Sequence, residues 1–276
     1  MNAETVTSSV EIVRTDFPRG GFKAAIFDFD GTLSLLRRNW QDVMIPMMVE
    51  ILAATGTDET PEQLHTQVEE FVMRLNGKQT IFQMIQLAEE VAKRGGVPQE
   101  PLTYKHQYHD LLWRQVGDRV ESVRLGRIPT EEATVPGSAA LLKAFQERGV
   151  KLYLASGTDL KYVRDELEVL GLSHFFGPRV YGALDDYKKF SKAMVIEQMI
   201  KESGFAGREI LGFGDGYVEI EEVKKVGGLA IGVASNEETR QGINDWKRNR
   251  LVRAGADLIV GDYRQPERIL DIIGLA

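Results

Sequence analysis

Two aspartates near the start of the chain have types and spacing that indicate chemistry. They lie in residues 23–33, KAAIFDFDGTL, where residues 24–29 form a short apolar run typical of a strand buried on both faces. Asp28 and Asp30 stand where this strand should end, and two carboxylates held close together repel each other. A bound cation offsets that repulsion, and oxygen ligands suit a hard ion such as Mg²⁺. A solvated turn is the alternative, because Asp and Gly are common turn residues.

Further polar groups stand at the ends of later predicted strands. They are the hydroxyl and glycine pair Ser156 and Gly157, the lysines Lys188, Lys189 and Lys192, and the acids Asp215 and Glu219. In a parallel sheet the carboxyl ends of the strands share one edge, so these groups should converge with Asp28 and Asp30. A nucleophile, an acid, a metal site, a hydroxyl and a cation are the parts that phosphoryl transfer requires.

The elements that must position these groups are predicted by hydrophobic periodicity. From residue 135 onward, strands alternate with helices, which indicates an α/β fold with a parallel sheet covered by helices on both faces. We expect strands at 10–13, 24–29, 150–155, 179–181, 209–213, 229–233 and 257–260. We expect helices at 138–148, 159–170, 191–203, 218–226 and 266–273, with a charged helical stretch that ends near 253.

Residues 35–131 show helical periodicity and no convincing strand pattern. Amphipathic helices are predicted at 41–54, 61–75, 80–93 and 101–116, with glycine-containing breaks between them. We interpret this block as a helical domain inserted after the first core strand. The predicted division is therefore an α/β core of residues 1–34 and 132–276 and a helical domain of residues 35–131.

Composition excludes several classes of function. A chain of 276 residues with 43% hydrophobic and 27% charged residues is typical of a globular protein of one large or two moderate domains. The net charge of −7 argues against a nucleic-acid partner. The chain has no cysteine, which excludes disulfides and thiolate metal sites and fits a reducing compartment. No apolar run is long enough for a membrane span or a signal peptide, so we expect a cytoplasmic protein.

The order of these motifs resembles the four-motif pattern of the haloacid dehalogenase-like superfamily. The pattern consists of DFDGT, a hydroxyl residue after the next core strand, a lysine, and GD followed by an acid. The resemblance covers residues 23–32 and 135–276 and implies a Rossmann-like core. The helical insert occupies the place of that superfamily's α-helical (C1-type) cap, which implies that the insert closes over the site and supplies specificity.

The resemblance implies an Mg²⁺-dependent phosphatase that acts through an aspartyl-phosphate. Asp28 would attack phosphorus, and Asp30 would protonate the leaving alkoxide and then activate water. The implied metal ligands are Asp28, the Asp30 carbonyl, Asp215 and Glu219. The implied phosphoryl-binding groups are Ser156, Gly157 and Thr32, with Lys192 to offset the negative charge.

Two details stay open in the sequence. Spacing from Gly204 and Asp215 favours Lys192 as the active-site lysine, with Lys189 as the alternative. Glu219 stands where a second Asp is usual, so it could reach a metal directly or through water.

The connection into the helical insert carries Arg37, Arg38 and Trp40. Our hypothesis is that Arg37 or Arg38 contacts an anionic or hydroxylated substrate, with Trp40 packed nearby; a solvated basic helix start is the alternative. The run of residues 246–250, WKRNR, predicts an exposed basic helix face.

The expected reaction is hydrolysis of a small phosphorylated metabolite such as a sugar phosphate. A sugar-phosphate mutase on the same scaffold is the nearest alternative. A non-catalytic binding protein ranks lower because Asp28, Asp30 and Asp215 are all present. A dehalogenase ranks lower still, since that branch of the superfamily lacks an acid at the position of Asp30.

Overall fold

The computed structural model describes residues 9–275 and places seven strands in one mostly parallel sheet. The strands are β1 (Val10–Ile12), β2 (Ala24–Phe27), β3 (Lys151–Asp159), β4 (Val180–Ala183), β5 (Ile210–Gly214), β6 (Leu229–Val233) and β7 (Leu258–Val260). Their order across the sheet is β1-β7-β6-β5-β2-β3-β4, and β1 pairs antiparallel with β7. The α/β class predicted from the sequence is confirmed.

Helices flank the sheet and form the insert between β2 and β3. The helices are α1 (Gln41–Ala53), α2 (Pro61–Leu75), α3 (Thr80–Lys93), α4 (Pro101–Arg124), α5 (Ser138–Glu147), α6 (Leu160–Val169), α7 (Ser173–Phe176), α8 (Lys192–Ser203), α9 (Tyr217–Lys225), α10 (Asp245–Ala254) and α11 (Pro266–Ile273). Within residues 9–275, none of these helices combines the length and the apolar character that a bilayer crossing needs.

Strand β2 separates two apolar clusters, one on each face of the sheet. Ala25 and Phe27 belong to one cluster, and Ala24 and Ile26 belong to the other, because successive side chains of a strand point to opposite faces. The ring of Phe27 stacks on that of Phe213 with 4.5 Å between centroids. Burial on both faces explains why the sequence of β2 shows no polar alternation.

The register of the central strands brings the predicted site residues to one edge. Phe27 of β2 lies opposite Leu154 of β3 and Phe213 of β5, and both pairings are parallel. The next residue, Asp28, donates its amide hydrogen to the carbonyl of Phe213 at 2.9 Å. Asp28, Ser156 and Asp215 lie one or two residues beyond this aligned register, and therefore at the same edge of the sheet.

The inserted segment consists of α1 to α4, and no strand lies between residues 41 and 124 of the described chain. The predicted bounds of α2 and α3 agree with the structure, and α1 ends one residue earlier than predicted. Helix α4, which we predicted to end at 116, continues to Arg124. Val116, Val120 and Val123 extend its buried face over the added turns. The division into two domains at residues 34 and 132 stays a prediction.

Two short connections join the helical segment to the rest of the chain, and they pair with each other. Leu35 donates its amide hydrogen to the carbonyl of Ala133 at 2.8 Å, and Val135 donates to Leu33 at 3.0 Å. The entry and exit of the helical segment therefore lie side by side, next to the loop that carries Asp30.

Candidate active site

Asp28 lies at the carboxyl end of β2, in a cavity lined by residues of the sheet edge and of the helical segment. Its side chain is nearly fully buried. The ammonium nitrogen of Lys192 lies 3.0 Å from Asp28 Oδ1. Burial raises the pKa of the Asp28 carboxyl, and the charge of Lys192 acts in the opposite direction. The geometry thus supplies a cation that stabilises Asp28 as a carboxylate.

Lys192 is the first residue of α8, and the helix cap fixes its place. The Ser191 hydroxyl accepts a hydrogen bond from the amide of Met194 at 3.1 Å, as expected of a serine N-cap. The ammonium group of Lys192 also contacts the buried carboxylate of Glu219, which α9 carries. Glu219 therefore serves as a counter-charge for Lys192, and its contact with a metal stays a prediction.

The alternative lysine, Lys189, is not brought to this cavity. Its side chain is 73% exposed and its ammonium nitrogen lies 3.1 Å from Asp186 Oδ2, at the surface. Of the two lysines that spacing allowed, the structure places Lys192 beside Asp28.

Asp30 differs from Asp28 in its surroundings. Its Oδ2 accepts a hydrogen bond from the Thr158 hydroxyl at 2.8 Å, whereas its buried Oδ1 has no hydrogen-bond partner among the described residues. Burial raises the pKa of the Asp30 carboxyl to about 7, although Arg37, with Nε 4.0 Å from Oδ1, opposes the shift. Asp30 can therefore hold or release a proton near neutral pH, as a general acid–base group must.

Ser156 and Gly157 lie at the carboxyl end of the sheet and line the same cavity. Ser156 is fully buried, and its hydroxyl oxygen accepts a hydrogen bond from the amide of Thr158 at 3.1 Å. A Cβ added to Gly157 would lie 2.8 Å from the carbonyl oxygen of Lys78. A glycine at this position thus permits the helical segment to approach the sheet edge closely.

Thr32 takes a different position from the other predicted phosphoryl-binding residues. Its hydroxyl oxygen accepts a hydrogen bond from the amide of Asp215 at 3.0 Å, and its carbonyl accepts one from the Tyr263 hydroxyl at 3.0 Å. Thr32 is not among the residues that line the cavity. In this arrangement it connects the loop after β2 to the loop after β5, and its contact with a phosphoryl group stays a prediction.

Asp215 is held by a cation that the sequence analysis missed. The predicted exposure of residues 246–250 is wrong for Lys247, which is 8% exposed. Its ammonium nitrogen lies 2.8 Å from Asp215 Oδ2 and 2.6 Å from Glu237 Oε1. Burial alone would lower the pKa of Lys247, but the two carboxylates raise it above its ordinary value. No local sequence pattern marks Lys247, because both partners lie on other loops.

Arg37 lines the cavity, and its guanidinium is already paired. It forms an ion pair with Glu166 of α6, in which Nε lies 3.0 Å from Oε1 and 3.1 Å from Oε2, and Nη2 lies 2.5 Å from Oε1. Arg38 is half-buried and does not line the cavity. The structure thus brings Arg37, but not Arg38, to the predicted site, and Glu166 is a second residue that sequence reasoning missed.

The helical segment forms the wall of the cavity that faces Asp28. Its lining residues are Trp40, Met44, Asn76, Gly77, Lys78, Thr80, Gln83, Tyr108 and Leu112. Of these, only Trp40 had been predicted to lie near a substrate. Six of them form three pairs with a spacing of three or four residues, each pair on its own helix: Trp40 and Met44 at the start of α1, Thr80 and Gln83 on α3, and Tyr108 and Leu112 on α4. Helical spacing was therefore the signal that could have found them.

The donor set at the sheet edge fits a magnesium ion. Among residues 9–275 no three His, Cys, Asp or Glu side chains form a metal cluster, so side chains alone would supply few ligands. Mg²⁺ keeps several waters and is commonly held by one or two carboxylates. Asp28 and Asp215, with the Asp30 carbonyl, are the groups that would hold it. The charge of Asp215 raises the pKa of Asp28, which shows that the two carboxylates interact. A Cβ on Gly31 would lie 2.3 Å from Asp215 Oδ2, so this glycine leaves room beside that carboxylate.

Comparison with protein families identifies a relationship over most of the chain. The model of the haloacid dehalogenase-like hydrolases matches residues 22–227. No curated protein matches the sequence significantly.

Solved structures share the fold at low sequence identity. A protein described as a predicted phosphoglycolate phosphatase from Haemophilus somnus is 16% identical with a TM-score of 0.59, over 91% of this chain and 98% of that chain. A β-phosphoglucomutase from Clostridium difficile is 17% identical with a TM-score of 0.59, over 91% and 97%. A family hydrolase from Deinococcus radiodurans with bound phosphate and sodium is 15% identical with a TM-score of 0.53, over 91% and 96%.

Proposed function

The chain belongs to the haloacid dehalogenase-like hydrolases, and we propose that it is an Mg²⁺-dependent phosphatase of small phosphate monoesters. The single observation that carries the proposal is the contrast between its two aspartates. Asp28 has an ammonium group 3.0 Å away, whereas Asp30 has a pKa of about 7 and an oxygen without a partner in the described chain. One carboxyl is thereby suited to be a nucleophile and the other to be a proton donor.

The first half of the proposed reaction transfers the phosphoryl group to Asp28. A carboxylate oxygen of Asp28 attacks phosphorus, the bond between phosphorus and the ester oxygen breaks, and Asp30 gives its proton to the leaving alkoxide. Lys192 and the hydroxyl of Ser156 bind the phosphoryl oxygens, where positive charge and donors stabilise the transition state. Mg²⁺, when bound by Asp28, Asp215 and the Asp30 carbonyl, supplies further positive charge to these oxygens.

The second half releases inorganic phosphate. Asp30, now ionised, takes a proton from a water molecule, whose oxygen attacks phosphorus and returns Asp28 to the carboxylate form. The wall formed by the helical segment limits the entry of other water during these steps.

The neighbours named above support phosphoryl transfer without choosing between hydrolysis and mutase chemistry. The two reactions share the aspartyl-phosphate, but a mutase returns the phosphoryl group to an intermediate. Only a phosphatase releases inorganic phosphate in proportion to the ester consumed, so the ratio of these two quantities decides between them.

The test is phosphate release from a panel of phosphorylated metabolites, with Mg²⁺ and with EDTA. We expect Mg²⁺-dependent release that is abolished in Asp28→Asn, because an amide is a poor nucleophile. Asp110→Asn is the matched control, since the Asp110 side chain is 79% exposed. Release that persists in a correctly folded Asp28→Asn variant would refute the mechanism.

A further inference from the structure

The buried cation of the cavity wall, Arg37, is neutralised by the protein itself. Its Nε lies 3.0 and 3.1 Å from the two carboxylate oxygens of Glu166, and Nη2 lies 2.5 Å from Oε1. Arg37 is 8% exposed and Glu166 is fully buried. A substrate carboxylate that recruited Arg37 would leave Glu166 as an unpaired buried charge, which is strongly unfavourable.

Within the described chain, this wall of the cavity offers an anionic leaving group no other buried cation. Lys78 lines the cavity but is exposed at its mouth, where its ammonium group lies 5.7 Å from the centroid of the Phe82 ring. Solvent screens such a charge. The acids Asp30 and Glu237 also line the cavity and would repel a second negative group.

The same wall carries polar groups whose hydrogen-bonding capacity is unused. In the part of the chain that the structure describes, no hydrogen bond is made by the side chains of Trp40, Asn76, Thr80 or Tyr108. Gln83 is buried, and its amide nitrogen donates to the carbonyl of Val72 at 3.1 Å. The free donors and acceptors match hydroxyl groups, which both donate and accept.

We propose that the preferred leaving group is uncharged and polyhydroxylated, as in a sugar or polyol phosphate, and that the Arg37–Glu166 pair excludes carboxylate-bearing esters. The proposal rests on the phosphatase function above and names the substrate class of that site. Glu166 acts here as a specificity-determining residue, because it holds the charge of Arg37 away from the substrate.

The experiment uses pairs of esters that differ by one carboxylate. Glycerol 3-phosphate is compared with 3-phosphoglycerate, and sorbitol 6-phosphate with 6-phosphogluconate, by kcat/KM for phosphate release. We expect the wild type to prefer the neutral member of each pair by at least about tenfold, a difference of about 1.4 kcal/mol in transition-state binding.

Glu166→Gln tests the cause of that preference. It keeps the shape of the side chain but removes the charge, so Arg37 can pair with a substrate carboxylate, and the ratio should shift at least about tenfold toward the acid. Glu168→Gln is the matched control on the same helix, because Glu168 is exposed. The double variant Arg37→Gln with Glu166→Gln should restore the neutral preference, which identifies Arg37 as the responsible cation and provides a second test if the single variant folds poorly.

Several results would overturn the inference. They are a wild-type preference for the carboxylate esters, an unchanged ratio in a folded Glu166→Gln variant, and a carboxylate preference that disappears in Lys78→Met. If neither ester of either pair is hydrolysed, affinities of the four esters for Asp28→Asn by calorimetry test the leaving-group class on their own, and the panel assay above decides the phosphatase proposal separately. Equal affinities within each pair would refute the proposed leaving-group class.

Discussion

Replacement of Lys247 by Met should destabilise the protein strongly. Removing one partner of a buried ion pair costs about 3–5 kcal/mol, because the other charge stays buried without a counter-charge. Here one ammonium group serves two carboxylates, and the Asp215 and Glu237 side chains are 12% and 20% exposed. Solvent therefore screens part of the unpaired negative charge, and we expect a loss of stability at the lower end of that range, about 3 kcal/mol.

For a chain of this size, 1 kcal/mol corresponds to about 2–4 °C in the unfolding midpoint. Lys247→Met should therefore lower the midpoint by about 6–12 °C in a thermal unfolding experiment. The measurement is made in EDTA, so that a bound cation cannot replace the missing ammonium group.

Lys225→Met is the matched control for this prediction. Lys225 lies 2.6 Å from Glu222, the same distance that separates Lys247 from Glu237, but its side chain is 64% exposed. Exposed pairs contribute little to stability, so the control should leave the midpoint nearly unchanged. Equal shifts in the two variants would refute the conclusion that burial, rather than distance, makes the Lys247 contacts important.

Three further substitutions have expected outcomes. Gly31 has φ +73°, and a Cβ added there would lie 2.3 Å from Asp215 Oδ2. Gly31→Ala should therefore reduce kcat/KM for phosphate release at least about tenfold. Unchanged kinetics would contradict this prediction. Gln79→Leu leaves one buried and one part-buried backbone carbonyl without their donor, so urea unfolding should show a loss of about 1–3 kcal/mol in the free energy of unfolding, and no loss would be contrary evidence. Ser191→Ala should lose about 1 kcal/mol of stability in the same assay and regain it in Ser191→Asp, because both side chains cap the helix that begins with Lys192.

Local sequence patterns predicted most of the fold because they coincide with its packing. The bounds of α2 were predicted fully, since Thr60 and Gln63 form a capping box and the apolar spacing continues to Leu75. The end of α4 was predicted eight residues too early. Gly117 has low helix propensity, but the burial of Val116 and Val120 on either side outweighs it.

The candidate site was predictable where it depends on topology and unpredictable where it depends on distant pairing. Asp28 and Asp215 each follow a strand, and Ser156 lies in the last part of β3, which extends beyond the predicted end at 155 to Asp159, so their convergence follows from the strand order of one sheet. Glu166 lies 129 residues from Arg37 in the chain, and nothing near either residue specifies the other. The exposure of Lys247 was predicted wrongly because its partners, Asp215 and Glu237, lie on other loops. A lysine among charged residues on a helix is usually solvated.

The two paired connections to the helical segment have a mechanical consequence. The two connections are tied to each other by backbone hydrogen bonds, so they would act as the hinge for any movement of the helical segment relative to the sheet. Ser34, on that hinge, accepts from the amide of Gly31 at 2.9 Å and donates its own amide hydrogen to Phe29 at the same distance. The loop that holds Asp30 is thus hydrogen-bonded to the hinge, so any such movement would also shift Asp30 relative to the cavity.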